Sequence, residues 1–187
     1  TTTQGTGGAT RTTTNTYRSG DGLLDTIENA VGEVTAHDWD PAGRLLEVTR
    51  LMGAGSTDDE STFVAYDKNG NATAITPPGK PAHDFEFDVR NLLTKYDPPV
   101  PGTGTWHTTY TYDADGRVSS EVRPGSITLT HAYDATTGKR TSVTRSAAQA
   151  LTYAYDAQGR TTGVSGPAWA SGSPTQTLAR TYLGRRL

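Results

Sequence analysis

The chain has 187 residues, 33% hydrophobic and 8% aromatic, with 17 basic and 20 acidic residues for a formal net charge of −3. That polarity implies a thin or one-sided core, the lack of a basic block argues against a nucleic-acid partner, and the absence of cysteine removes disulfides and thiolate metal sites. No apolar run approaches the ~20 residues needed to cross a bilayer, so no membrane span is expected.

Residues 1–16 are rich in threonine and glycine and read as a strand pair or a linker. From 17 to 176 the chain repeats itself about seven times: an aromatic residue followed by a short turn centred on glycine. The clearest copies are Tyr66-Asp67…Gly70, Tyr112-Asp113…Gly116-Arg117, Tyr133-Asp134…Gly138 and Tyr155-Asp156…Gly159-Arg160. Trp39-Asp40…Gly43-Arg44 keeps the frame with tryptophan, Phe87-Asp88…Asn91 keeps it with asparagine for glycine, and Tyr17 to Gly20 or Gly22 is a worn copy. The anchor spacings are 22, 27, 21, 25, 21 and 22. Asp at the first position of a type I turn accepts from backbone N–H groups ahead of it, and glycine takes the positive φ that closes a bulged hairpin.

The flanks alternate as strands do. Trp106, Thr108, Tyr110 and Tyr112 share one face, and so do Ile127, Leu129, His131 and Tyr133. Leu23 to Val31 lacks a helical stripe, and no other segment carries one, so an all-β array of antiparallel hairpins is expected, with two strands per repeat. Met52–Glu60, Tyr96–Thr105 (with Pro98, Pro99 and Pro101) and Ser165–Pro174 read as longer connections, and the Tyr96-Asp97 pair is taken as loop because prolines follow it. Residues 177–187 read as the start of a further, incomplete repeat. The chain starts at Thr1 with Met52 as its only methionine, carries no signal sequence, and is expected to be part of a longer or processed product.

Tyr-Asp-x-x-Gly-Arg, complete at Tyr112 and Tyr155 and nearly so at Trp39, Tyr66 and Tyr133, resembles the YD repeat of the Rhs family, with relatives in bacterial polymorphic toxins, Tc toxin shell subunits and animal teneurins. The resemblance covers the chain from about Tyr17 to Tyr182. It implies an extended, curved or spiralling sheet of hairpins that forms part of a β-shell, often around a toxin fragment, in an exported bacterial protein found outside the cell or on its surface. It carries over no cleaving aspartate: Asp40-Pro41-Ala42-Gly43 has the letters of the family's self-cleavage motif but occupies a repeat turn. No toxin domain is visible.

In such an array the motif tyrosines are expected to form a ladder, rings in contact and hydroxyls on polar groups, with Arg44, Arg117 and Arg160 over a neighbouring ring or paired with the motif Asp. No catalytic, cofactor-binding or metal residue is assigned. His83, His107 and His131 are spaced by 24, but His37, His83 and His131 share the anchor's face by parity and His107 does not, and zinc needs convergent ligands. Asp58, Asp59 and Glu60 lack calcium-loop spacing. Carboxylate pairs for a glycan hydrolase are already claimed by turns. The leading expectation is a structural shell segment, not an enzyme, that joins the rest of its parent chain or other copies through open sheet edges and encloses or displays a toxin. The alternative is a carbohydrate-binding or adhesive surface in which Trp106 or Trp169 stacks on sugar; glycan hydrolysis comes last.

Overall fold

A computed structural model describes residues 2–4, 11–53, 58–100, 106–146, 149–166 and 176–179. These residues contain sixteen strands and no helix, which agrees with the all-β expectation. The chain falls into two compact units, Thr1–Asn91 with Tyr96–Pro101, and Leu92–Lys95 with Gly102–Leu187.

In the first unit the strands are β1 (Thr2–Gln4), β2 (Arg11–Tyr17), β3 (Leu24–Glu28), β4 (Val34–Trp39), β5 (Leu45–Leu51), β6 (Glu60–Tyr66), β7 (Ala72–Thr76) and β8 (His83–Phe87). Each pairs antiparallel with the next in chain order. A further strand, β9 (Leu93–Asp97), is divided between the units. In the second unit β10 (Thr108–Tyr112), β11 (Val118–Arg123), β12 (Ile127–Tyr133), β13 (Arg140–Arg145), β14 (Gln149–Tyr155), β15 (Thr161–Gly166) and β16 (Gln176–Ala179) follow the same rule. Sequential antiparallel pairing needs only short connections, which is what a chain dense in turn residues provides.

The register slips by one residue at Tyr17, Trp39, Tyr66, Tyr112, Tyr133 and Tyr155, each the last residue before a motif turn. A left-handed residue after a type I turn produces such a bulge. In each unit the motif turns therefore recur at every second connection, along one edge of the sheet.

Pleating sends alternate side chains to opposite faces, and the cross-strand rows make the two faces chemically different. The face of the motif aromatics carries rows such as His37–Val48–Thr62 and Val64–Ile75–His83 in the first unit. In the second it carries His131–Val143–Leu151 and Tyr153–Val164–Leu178. The opposite face of the first unit includes Asp38–Glu47–Phe63–Thr76. That of the second runs Ala132–Ser142–Thr152–Ser165–Thr177. Among the described residues no hydrophobic side chain is fully buried. Among the described residues a partly buried face, which carries the motif aromatics, stands in place of a core.

Two sequence expectations need adjusting. Tyr96 and Asp97 are not loop; they end β9, and the Tyr96 ring stacks on Phe85 at 5.2 Å and on His83 at 5.9 Å, with its hydroxyl 2.7 Å from His83 Nδ1. Ring packing and strand pairing outweigh the local effect of the prolines that follow. Glu60 likewise belongs to β6, and Asp59 accepts the Met52 N–H at 2.8 Å across the preceding connection. Of the predicted final repeat, residues 180–187 lie outside the described residues, as does most of the 165–174 connection.

Candidate functional site

The motif turns are built alike. Asp113 Oδ1 accepts the N–H groups of Asp115 at 3.0 Å and Arg117 at 2.9 Å, while the Gly116 N–H donates to Asp113 O at 3.1 Å. Asp40 holds Ala42 and Arg44, Asp67 holds Asn69 and Asn71, and Asp156 holds Gln158 and Arg160 in the same way. The turn after Tyr133 has one more residue, and Asp134 holds Thr136 and Thr137 instead. Asp88 accepts from Arg90 at 2.8 Å. Gly116 has φ 78°, a left-handed conformation in which a Cβ is penalised. Asn91 stands there with φ 62° at the equivalent place, and in the worn first copy Gly22, not Gly20, takes that role at φ 72°.

Carboxylates committed to these bonds stay ionised and have no proton to donate. The carboxyls of Asp40, Asp67, Asp113, Asp134 and Asp156 are all held below the ordinary aspartate range. At Asp113 and Asp156 partial burial is the largest effect and pushes upward, but the N–H and guanidinium of the arginine four residues on, with the N–H two residues on, outweigh it. The strongest effects elsewhere are the Arg44 N–H on Asp40, the Asn71 amide on Asp67 and the Thr137 N–H on Asp134. A general acid needs the opposite shift.

A relay links successive turns. Arg44 donates from Nε to Asp40 Oδ2 at 2.6 Å, lies over the Tyr66 ring at 4.8 Å and reaches Asp67 O at 3.1 Å. Arg117 donates to Asp113 Oδ2 at 2.7 Å and lies over the Tyr133 ring at 4.7 Å. Lys139 takes the arginine's place, 5.4 Å over Tyr155, and Arg160 donates to Asp156 Oδ2 at 2.6 Å. The two roles foreseen for arginine, ring partner and Asp partner, are thus filled by one side chain at Arg44 and Arg117. The expected ring-on-ring ladder is replaced at Tyr66, Tyr133 and Tyr155 by a cation from the hairpin before, since a cation on a ring face exploits the ring quadrupole.

The aromatic heads add a second link. The hydroxyls of Tyr112, Tyr133 and Tyr155 donate to the carbonyls of Leu93 (2.6 Å), Val118 (2.9 Å) and Arg140 (2.8 Å), and Trp39 Nε1 donates to Leu24 O at 2.7 Å. Each acceptor lies two residues beyond the left-handed residue of the preceding turn, at Gly22, Asn91, Gly116 and Gly138.

The other candidates do not converge. His37, His83 and His131 sit on β4, β8 and β12, with His107 just before β10, and among the described residues no three metal-ligating side chains gather. Both ring nitrogens of His131 are sealed from solvent without a hydrogen-bond partner, and burial, then Arg140, lowers its pKa. Trp106 is 42% exposed; Trp169 lies outside the described residues. Sequence reading missed the turn at Asn29, where Asn29 Oδ1 accepts from Val31 and Glu33 and Gly32 has φ 82°. Its signal was Asn-x-x-Gly without a preceding aromatic.

Comparisons with known proteins bear on this geometry. The family model for the teneurin YD-shell matches residues 35–165. No curated protein matches. Among solved structures, TcdB2-TccC3 with Cdc42 superposes with a TM-score of 0.54 at 13% identity over 86% of this chain and 12% of that one. TcdB2-TccC3 without its hypervariable C-terminal region gives 0.54 at 15% over the same shares. The Photorhabdus luminescens Tc holotoxin pore with mutated TccC3 gives 0.55 at 13%, covering 87% of this chain and 10% of that one. The chain thus spans about a tenth of the length of the structures it resembles, and at these identities the likeness is one of fold. The hairpins, the capped turns and the match over residues 35–165 agree: the chain belongs to the teneurin YD-shell family, whose role is structural.

Proposed function

We propose that the chain is a stretch of wall in an exported bacterial Rhs-type protein, a shell that encloses or displays a toxin or effector polypeptide outside the cell. The observation that carries this reading is the relay. Arg44 and Arg117 bond the Asp of their own turn and also cover the ring of the next hairpin, Lys139 covers the next ring as well, and no hydrophobic side chain among the described residues is fully buried. A sheet so built gains stability by adding neighbours, as repeat arrays do. The similarity to Tc toxin chains many times longer supports a larger assembly. Residues 17–176 supply the repeating wall. The partners are then the rest of the parent chain, or other copies, and an enclosed polypeptide; catalysis is no part of the role.

Electron microscopy of the intact parent protein tests the proposal. A closed, hollow outline with density inside is expected. A flat, open sheet with exposed faces would replace encapsulation with adhesion, and glycan binding lost on Trp106→Ala would then be the next measurement.

A further inference from the structure

We propose that Asn69, Asn71 and Asn91 form one amide clasp that replaces the cation–ring contact and matches the Tyr66 hairpin specifically to the Phe87 hairpin. The residue after the left-handed turn position is the one that reaches forward: Leu23, Arg44, Asn71, Leu92, Arg117 and Lys139. Where it is basic, at Arg44, Arg117 and Lys139, the next anchor is a tyrosine and the cation covers its ring. After Tyr66 both members of that pair change together, to Asn71 and Phe87.

The amide network is self-consistent. Asn71 Nδ2 donates to Asp67 Oδ2 at 2.8 Å, the bond an arginine Nε makes in the other turns. A carboxylate only accepts, so this bond fixes which end of the Asn71 amide is nitrogen. The same nitrogen donates to Asn91 Oδ1 at 2.9 Å, and Asn69 Nδ2 donates to that oxygen at 3.0 Å. Asn91 therefore acts as a double acceptor across the gap between two turns. It does so at φ 62°, where Gly43, Gly70, Gly116, Gly138 and Gly159 hold the equivalent positions. Asparagine tolerates that conformation better than other L-residues but less well than glycine. The side-chain bonds account for its presence there. Phe87, with no hydroxyl, cannot make the link to a preceding carbonyl that Tyr112, Tyr133 and Tyr155 make, so this junction relies on the clasp.

The inference holds whatever the shell encloses, and its test is independent of that reading. Asn91→Gly separates two explanations with opposite signs. Relief of the left-handed backbone alone raises the melting temperature of the full chain. Loss of the double acceptor lowers it, by about 2–4 °C if the two amide bonds outweigh the relief. The clasp also predicts faster hydrogen exchange at the Gly70 and Asn71 amides in Asn91→Gly, with the Gly43 and Arg44 amides unchanged as an internal control. The combination Asn71→Arg, Phe87→Tyr and Asn91→Gly rebuilds the cation–ring junction and should restore the melting temperature, whereas Asn71→Arg alone should not. A melting temperature at or above the wild type in Asn91→Gly, or exchange at Gly70 and Asn71 that does not change, overturns the proposal.

Discussion

The Tyr133 and Tyr155 junctions of the second unit repeat one chemistry; those of the first unit vary it. Tyr133 and Tyr155 each have a basic side chain over the ring and a hydroxyl on a preceding carbonyl. In the first unit Trp39 uses an indole N–H, Tyr66 a cation, and the Phe87 hairpin an amide clasp. Beneath this variation the backbone of the turn stays the same, an Asp accepting N–H groups ahead of it and a left-handed residue closing the bulge. Local backbone geometry has few solutions, whereas two neighbouring hairpins can be joined by any donor and acceptor of suitable reach. The turn is fixed by sterics and the junction is open to substitution.

Mutations that attack the constant part should therefore cost most. Gly116→Val forces a β-branched residue to φ 78° and sets its Cβ against Leu92 Cδ1, which would lie 3.6 Å from it. A loss of about 1–3 kcal/mol in denaturant melts is expected. A loss no larger than that from Arg117→Lys would mean that the turn does not govern the fold.

Next come the aromatic heads, where the two units should respond with opposite signs. Tyr133→Phe deletes the donation to Val118 O and should cost about 1 kcal/mol. Phe87→Tyr in the first unit offers a hydroxyl to Ala72 O, the carbonyl two residues beyond Gly70, and should gain a similar or smaller amount. Equal and negligible changes in both would show that the hydroxyl links carry no net stability.

A smaller and pH-dependent difference separates His37 from His131, which occupy the same place two residues before the anchor. His37 Nδ1 lies 3.4 Å from Asp25 O and its ring stacks on Trp39 at 6.4 Å, while both His131 nitrogens are sealed without partners. The groups acting on His131 are Glu121 and Arg123 from β11 and Arg140 from β13. Its folded pKa lies below the ordinary value near 6.5, so the unfolded chain binds the proton more tightly. Stability from this group is complete above about pH 6.5 and declines as the pH falls from there towards the folded pKa. His131→Leu should flatten the fall of melting temperature as the pH drops below about 6.5, and an unchanged slope there would exclude His131 as its source. The smallest effect belongs to Arg117→Lys, since Lys139 already serves over Tyr155 at 5.4 Å.

These contrasts also explain what could be read without coordinates. The turns were legible because Asp, the intervening residues and Gly act on one another within a few bonds, and the strands followed from alternation between them. The junctions were not. Nothing adjacent to Asn71 signals that its amide meets Asn91 twenty residues later, and Tyr96 looked like loop because its partners, His83 and Phe85, come from another strand. The ring ladder was drawn from equivalent positions alone. Equivalence gives the order of hairpins but not the side chain that reaches between them.

The lack of a fully buried hydrophobic side chain among the described residues has a calorimetric consequence. Heat-capacity change on unfolding follows the apolar area newly wetted, and a sheet whose hydrophobic side chains are only partly covered has less left to wet than a globule with a sealed core. Its free-energy curve against temperature should be broad and shallow, falling gently toward both frost and heat where a globule of the same length would show a pronounced optimum.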